Sequence, residues 1–187
     1  MSSSINYGLY QLGWFACVLG AASGHAGIGL LIGAATELAH LAMARRRGDE
    51  ITLAVSALII GAMVDSVQIA LGTLRFPATS STLPVPPLWL ALLWMQFAST
   101  LRFSMRWLTP TRAILFGAIG GPLAFLGASR LGVVQLDERI WPSVLSLGVL
   151  WSLAIPALTL IAARHSDAEG AGDYRGVLSV VTRGVTS

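Results

Sequence analysis

The chain has 187 residues, of which 55% are hydrophobic and only 11% charged, against about 25% charged in an ordinary soluble domain. A soluble fold of this size would carry its surplus apolar side chain on the surface and aggregate, so the composition excludes that class and indicates an integral membrane protein whose first partner is the lipid bilayer. The net charge is +3, but all twelve basic residues are arginines set mostly at the ends of apolar runs, which suits membrane topology and not a nucleic-acid surface.

Six apolar segments follow one another, near residues 6–24, 26–44, 51–73, 88–108, 113–132 and 143–163. Each is long enough, or nearly so, to cross about 30 Å of hydrocarbon as a helix. Their runs show helical spacing and no alternation, which favours helices over a barrel. The expected fold class is therefore all-α, a polytopic bundle of six transmembrane helices over residues 1–163, followed by a flexible cytoplasmic tail over 164–187, rich in Gly and small polar residues.

The first segment resembles a signal peptide in its small residues, "GAASG", but no Lys or Arg precedes its apolar core. It is read as a retained helix. Its Cys17 is the only cysteine, so neither an intrachain disulfide nor a metal site built on cysteine pairs is expected. A tight turn around His25 leads into the second segment. With both termini in the cytoplasm, nine arginines fall on or near the inside, among them Arg45, Arg46, Arg47, Arg102, Arg106 and Arg112, and only Arg75, Arg130 and Arg139 fall outside. That bias predicts an N-in/C-in topology.

The second segment carries Gly29, Gly33, Glu37 and His40 at i, i+4, i+8 and i+11, one face within about 80° at 100° per residue. Thr36 borders it. The third repeats the arrangement with Gly61, Asp65, Gln68 and Gly72. Small residues let helix backbones approach, and polar ones turn away from lipid. The fourth adds Gln96, Ser99, Thr100 and Phe103, with Arg102 and Arg106 to one side.

Glu37 stands seven residues from the end of its segment, about 10 Å deep. Arg102 stands at a similar depth if its helix runs to residue 108. A Glu37–Arg102 or Glu37–Arg106 pair is therefore expected to offset the cost of the buried charge. Asp65 has no arginine clearly at its level. Glu37 and His40 spell E-x-x-H, the helical half-site of carboxylate di-metal proteins, but a full site needs a second such motif and two more carboxylates. No metal or cofactor is expected. No G-x-S-x-G, H-E-x-x-H or phosphate loop is present, which argues against those hydrolases and nucleotide enzymes.

Among the tryptophans, Trp89, Trp107 and Trp141 suit interfacial anchoring, whereas Trp94 and Trp151 sit deeper and suit packing. The fifth segment contains "GAIGGPLAFLG". Gly117, Gly120, Gly121 and Pro122 predict close approach of a neighbour and a kink near its middle.

Three stretches carry a family resemblance: "YQLGWFACVLGAA" (10–22), "PLWLALLWMQFASTLRFSMRWL" (87–108) and "GAIGGPLAFLGASRLG" (117–132). Together they resemble the bacterial inner-membrane family catalogued as domain of unknown function 2878, over about residues 5–163. Where the family pattern carries Asn-His ahead of the serine of the fourth helix, this chain has Arg102 and Phe103. The resemblance implies no established activity. It implies an association with membrane-lipid metabolism, since members sit among genes for cyclopropane or other modified fatty acids. Two readings follow. One is a non-catalytic accessory or scaffold that recruits lipid-modifying enzymes. The other is a small lipid-active enzyme or transporter with Glu37, His40 and Asp65 in a polar cavity, flanked by Gln68, Gln96, Thr100 and Arg102.

Overall fold

The structure is a computed structural model that describes residues 1–77 and 83–184, with side chains described as far as Arg164. Six helices account for its body: α1 (Ser3–Ala22), α2 (Ala26–Met43), α3 (Arg47–Ala70), α4 (Leu88–Leu101), α5 (Pro110–Arg130) and α6 (Trp141–Gly184). Two short strands, β1 (Leu74–Arg75) and β2 (Gln135–Leu136), pair antiparallel with Leu74 opposite Leu136. They tie the C-terminal end of α3 to that of α5. The tail expected over 164–187 falls, apart from the helical course of its backbone to Gly184, outside the described residues.

Local chemistry sets several of the helix ends. Ser2 caps α1 by accepting from the Ile5 amide. Thr109 caps α5 by accepting from the Arg112 amide, with Pro110 at the first turn where its missing N–H costs nothing. Beyond the last turn of α3, Gly72 adopts φ of 72°, the left-handed region open to glycine. The Thr73 amide then returns to the Gln68 carbonyl. Gly72 therefore closes the helix and does not seat a neighbouring one, since a Cβ there would meet nothing.

The protein is an all-helical membrane protein. Helices α2, α3 and α5 and the Trp141–Arg164 part of α6 are long and apolar enough to cross a bilayer. Their outward residues are large and apolar, among them Leu31, Met63, Leu115 and Leu153. The fourth helix departs from expectation. It stops at Leu101 and not at 108, and its 14 residues span about 21 Å, short of the hydrocarbon thickness. Two competitors end it. The Thr100 carbonyl accepts from the Phe103 and Met105 amides in a tight turn. The Ser104 amide bonds to the Asn6 side chain and not to a helical carbonyl.

Helix α4 is the axle of the molecule. Almost every residue of it is buried, and α1, α2, α3 and α6 pack around it. α1 with α2, and α5 with α6, form the two closest pairs, and α3 packs against α6. In this ring α1 and α5 are neighbours without close packing against each other. The gap between them is lined by aromatic side chains.

Candidate functional site

The polar groups on the inner helix faces do not meet in one place. They form separate clusters at successive levels, and the sequence-predicted residues are divided among them.

At the arginine-rich end, one buried cluster joins four helices. The Arg102 guanidinium donates to Glu50 Oε1 at 2.8 Å, and Glu50 Oε2 lies 3.1 Å from His40 Nε2. The Glu50 and His40 side chains are almost fully buried, and that of Arg102 is 9% exposed. Asp49 flanks the group, 3.9 Å from Arg102 and 3.8 Å from Arg46. Asn6 of α1 completes it. Its Nδ2 donates to the Ser99 carbonyl at 3.0 Å and stands 3.4 Å from His40 Nδ1, while its Oδ1 accepts from the Ser104 hydroxyl at 2.6 Å. These contacts are mutually satisfied when the imidazole carries its proton on Nε2, donating to Glu50 and accepting from Asn6. The Phe103 ring packs edge-on against His40, with centroids 5.4 Å apart.

The expected partner of Arg102 was Glu37; its actual partner is Glu50. Because α4 ends at Leu101, Arg102 lies at the helix terminus and not within the span. There it is level with the first turn of α3, which begins at Arg47 and contains Asp49 and Glu50. Glu37 remains buried with its Oε1 unpartnered among the described residues. Arg106 is exposed, beyond α4, and pairs with neither.

One level further in, Gln96 Nε2 donates to the Gly33 carbonyl at 2.8 Å and to Thr36 Oγ1 at 3.0 Å. Gly13 leaves room for both side chains, since a Cβ there would collide with Gln96 and Thr36. Thr100 and Ser99 turn their hydroxyls back to carbonyls of their own helix.

Asp65 lies on a different helix, α3. Its Oδ2 accepts from the Trp94 indole at 2.8 Å, and its Oδ1 has no partner among the described residues. Trp94 lies against Gly61, where any side chain would strike the indole. It therefore does more than pack. At the far end, Gln68 Oε1 accepts from Thr73 and Ser146 hydroxyls at 2.6 and 2.7 Å. Ser143 joins this group by donating to the Thr73 carbonyl. His40, Glu37 and Asp65 thus do not converge on one cavity, and none of them lines either of the two cavities described next.

The first cavity, about 170 Å³, occupies the gap between α1 and α5. Its aromatic lining includes Tyr10, Trp14, Trp89, Phe116, Phe125 and Trp151. The Trp151 Nε1 is buried and unpartnered among the described residues. Trp89, expected at the interface, is only 9% exposed and edges onto Phe76, whereas Trp107 and Trp141 are more than half exposed. The second cavity, about 570 Å³, lies at the arginine-rich end between the α2–α3 turn, the end of α4 and α6.

The glycines of α5 divide. At Gly117 a Cβ would strike the Trp151 carbonyl of α6, and at Gly121 it would strike the Trp151 ring. Gly120 faces only Phe116 of its own helix at ordinary distance. Pro122 is buried within α5, beside the place where α6 presents Gly148. On α2, Gly29 sits against the Ala16 carbonyl of α1 and Gly33 against Cys17.

Asn6, Glu50 and Ser104 are polar partners that the sequence reading passed over. Asn6 lies at the edge of the first apolar run and Glu50 in the charged joint "ARRRGDE", where solvated residues are the rule. The available signal was a carboxylate one helical turn inside that joint, on the side of the helix that carries Leu53 and Ala57, both buried.

No curated protein and no solved structure matches the chain. A family match does cover the core of the helical region, taking in all three stretches whose resemblance was noted, and it brings no activity with it. The chain belongs to the family described as Protein of unknown function (DUF2878), which matches residues 3–157.

Proposed function

We propose that the protein is a non-catalytic accessory or scaffold subunit of membrane-lipid metabolism in the bacterial inner membrane, holding an apolar chain in the gap between α1 and α5 for a lipid-modifying enzyme. The observation that carries this reading is the aromatic cavity itself, framed by Tyr10 and Trp14 on one side and Phe116 and Phe125 on the other. It opens beside the exposed Ala124 of α5, a helix long and apolar enough to span the bilayer. A cavity in that position takes its occupant from the surrounding acyl chains. The pairing of His40, Glu50, Arg102 and Asn6 with one another supports a structural role for the ionisable groups at the arginine-rich end.

The test is the fatty-acid profile of a deletion strain, complemented with the natural gene or with Ala124→Trp, which puts an indole at the mouth of the cavity. A changed profile, restored by the natural gene but not by Ala124→Trp at equal folded yield, is the expected result. An unchanged profile on deletion overturns the lipid role.

A second reading, a small lipid-active enzyme or transporter, is favoured by one observation: Glu37 Oε1 and Asp65 Oδ1 are buried without a partner among the described residues. Glu37→Gln and Asp65→Asn separate the two. Normal folded yield with a lost lipid product supports this second reading, and lost yield supports the structural one.

A further inference from the structure

Arginines at the end of a membrane bundle are common, and two here have ordinary uses. Arg47 donates to the Ala42 carbonyl and Arg112 to the Trp107 carbonyl, each within its own turn. Four others behave differently. Arg45 and Arg46 from the α2–α3 turn, Arg102 from the end of α4, and Arg106 from the α4–α5 connection all line one cavity of about 570 Å³. Two separate stretches of chain, 45–46 and 102–106, bring them together.

The described carboxylates nearby do not neutralise that set. Glu50 is buried and taken by Arg102 and His40, and Asp49 stands within 4 Å of Arg46 and Arg102. Among the described residues, two carboxylates stand against four guanidinium groups and leave an excess of positive charge. Arg45 and Arg106, both exposed, make no ion pair with a described residue. The remaining wall is mostly apolar, with Leu101, Phe103, Leu108 and Ala162, and carries the hydroxyl residues Thr109 and Thr159. The volume falls among those of small-molecule sites. Guanidinium forks match phosphate oxygens in pairs, and an apolar wall beside them suits the part of an amphiphile next to its phosphate.

We infer that this cavity binds a phosphate-bearing anion, with Arg45 and Arg106 as its first contacts, and that the anion is the headgroup of an acidic phospholipid. Arg102 is the positioning residue: held by Glu50, it contributes positive field to the cavity without being free to leave. The inference goes beyond the accessory role and is independent of the aromatic cavity, so it stands or falls whatever the deletion strain shows.

The test uses the full chain in neutral detergent. Binding is measured for short-chain phosphatidylglycerol, short-chain phosphatidylcholine and inorganic phosphate. Phosphatidylglycerol is expected to bind at least about tenfold more tightly than phosphatidylcholine, since only it keeps a net negative charge for the arginines. The doubly substituted Arg45→Gln/Arg106→Gln protein is expected to lose that preference. Arg47→Gln/Arg112→Gln, with the same charge removed from the same end but outside the cavity, is expected to keep it. Inorganic phosphate binding as tightly as phosphatidylglycerol, and lost in the Arg45/Arg106 variant, supports the phosphate site but assigns it to a soluble anion. Equal binding of the two lipids with no binding of phosphate overturns the site. Equal loss in both double variants also overturns it, because the effect is then one of overall charge.

Discussion

At the scale of single residues, stability rests on a buried charge pair that has recruited polar neighbours. Arg102 and Glu50 face each other at 2.8 Å with little exposure on either side chain. Their mutual attraction offsets desolvation only because His40 satisfies the other Glu50 oxygen. Removing one member leaves the other buried and unpaired. Glu50→Ala is therefore expected to cost about 3–5 kcal/mol, read as a lowered midpoint of unfolding in detergent. Removing both charges with Glu50→Leu and Arg102→Met is expected to recover part of that loss, because no uncompensated charge remains. A Glu50→Ala protein that unfolds like the natural one would show that the pair is solvated and worth little.

At the scale of helices, close packing is written in particular glycines and not in glycine content. Gly117 and Gly127 lie on the same helix ten residues apart, yet a Cβ at the first strikes the Trp151 carbonyl and at the second meets nothing. Gly117→Ala is expected to destabilise by about 1–3 kcal/mol as α5 and α6 are forced apart. Gly127→Ala is expected to stabilise by up to about 1 kcal/mol through helix propensity alone. Thermal unfolding of the two variants side by side checks both, and equal effects would remove the packing explanation. The helices themselves were legible in the sequence, because an apolar run with helical spacing declares its own length. The early end of α4 was not. It depends on Asn6, nearly a hundred positions away, reaching Ser104. The mistaken partner of Arg102 follows from that single fact, since a helix ending at 108 would have held the arginine near the level of Glu37. The inward placement of Glu37, His40, Asp65 and Gln68 was legible from their shared faces. Their division into separate clusters was not, because a helical face gives direction around an axis but not which residue of a neighbour stands opposite.

At the scale of the whole molecule, the helix directions sort the charges. α1, α3 and α5 begin at the end where α2, α4 and the side-chain-described part of α6 finish, so Arg45, Arg46, Arg47, Arg102, Arg106, Arg112 and Arg164 gather there. Arg75, Arg130 and Arg139 gather at the opposite end, beside the β1–β2 pair. The positive-inside rule predicts that the first end faces the cytoplasm. Two exposed turn positions read this directly once Cys17, which is buried, is replaced by Ala. Ser23 lies in the α1–α2 turn at the arginine-poor end, and Gly48 lies at the start of α3 at the arginine-rich end, where a side chain would meet nothing. Ser23→Cys is expected to react with a membrane-impermeant maleimide in cells whose inner membrane is intact. Gly48→Cys is expected to react only after that membrane is permeabilised. Labelling of Gly48→Cys in intact cells, with Ser23→Cys protected, would invert the protein and move the arginine-lined cavity to the outer leaflet. Labelling of both would show that α1 and α2 do not cross the bilayer as a hairpin whose turn lies opposite Gly48. The gap between α1 and α5 would then face a headgroup layer instead of acyl chains, and its aromatic lining would need a different occupant.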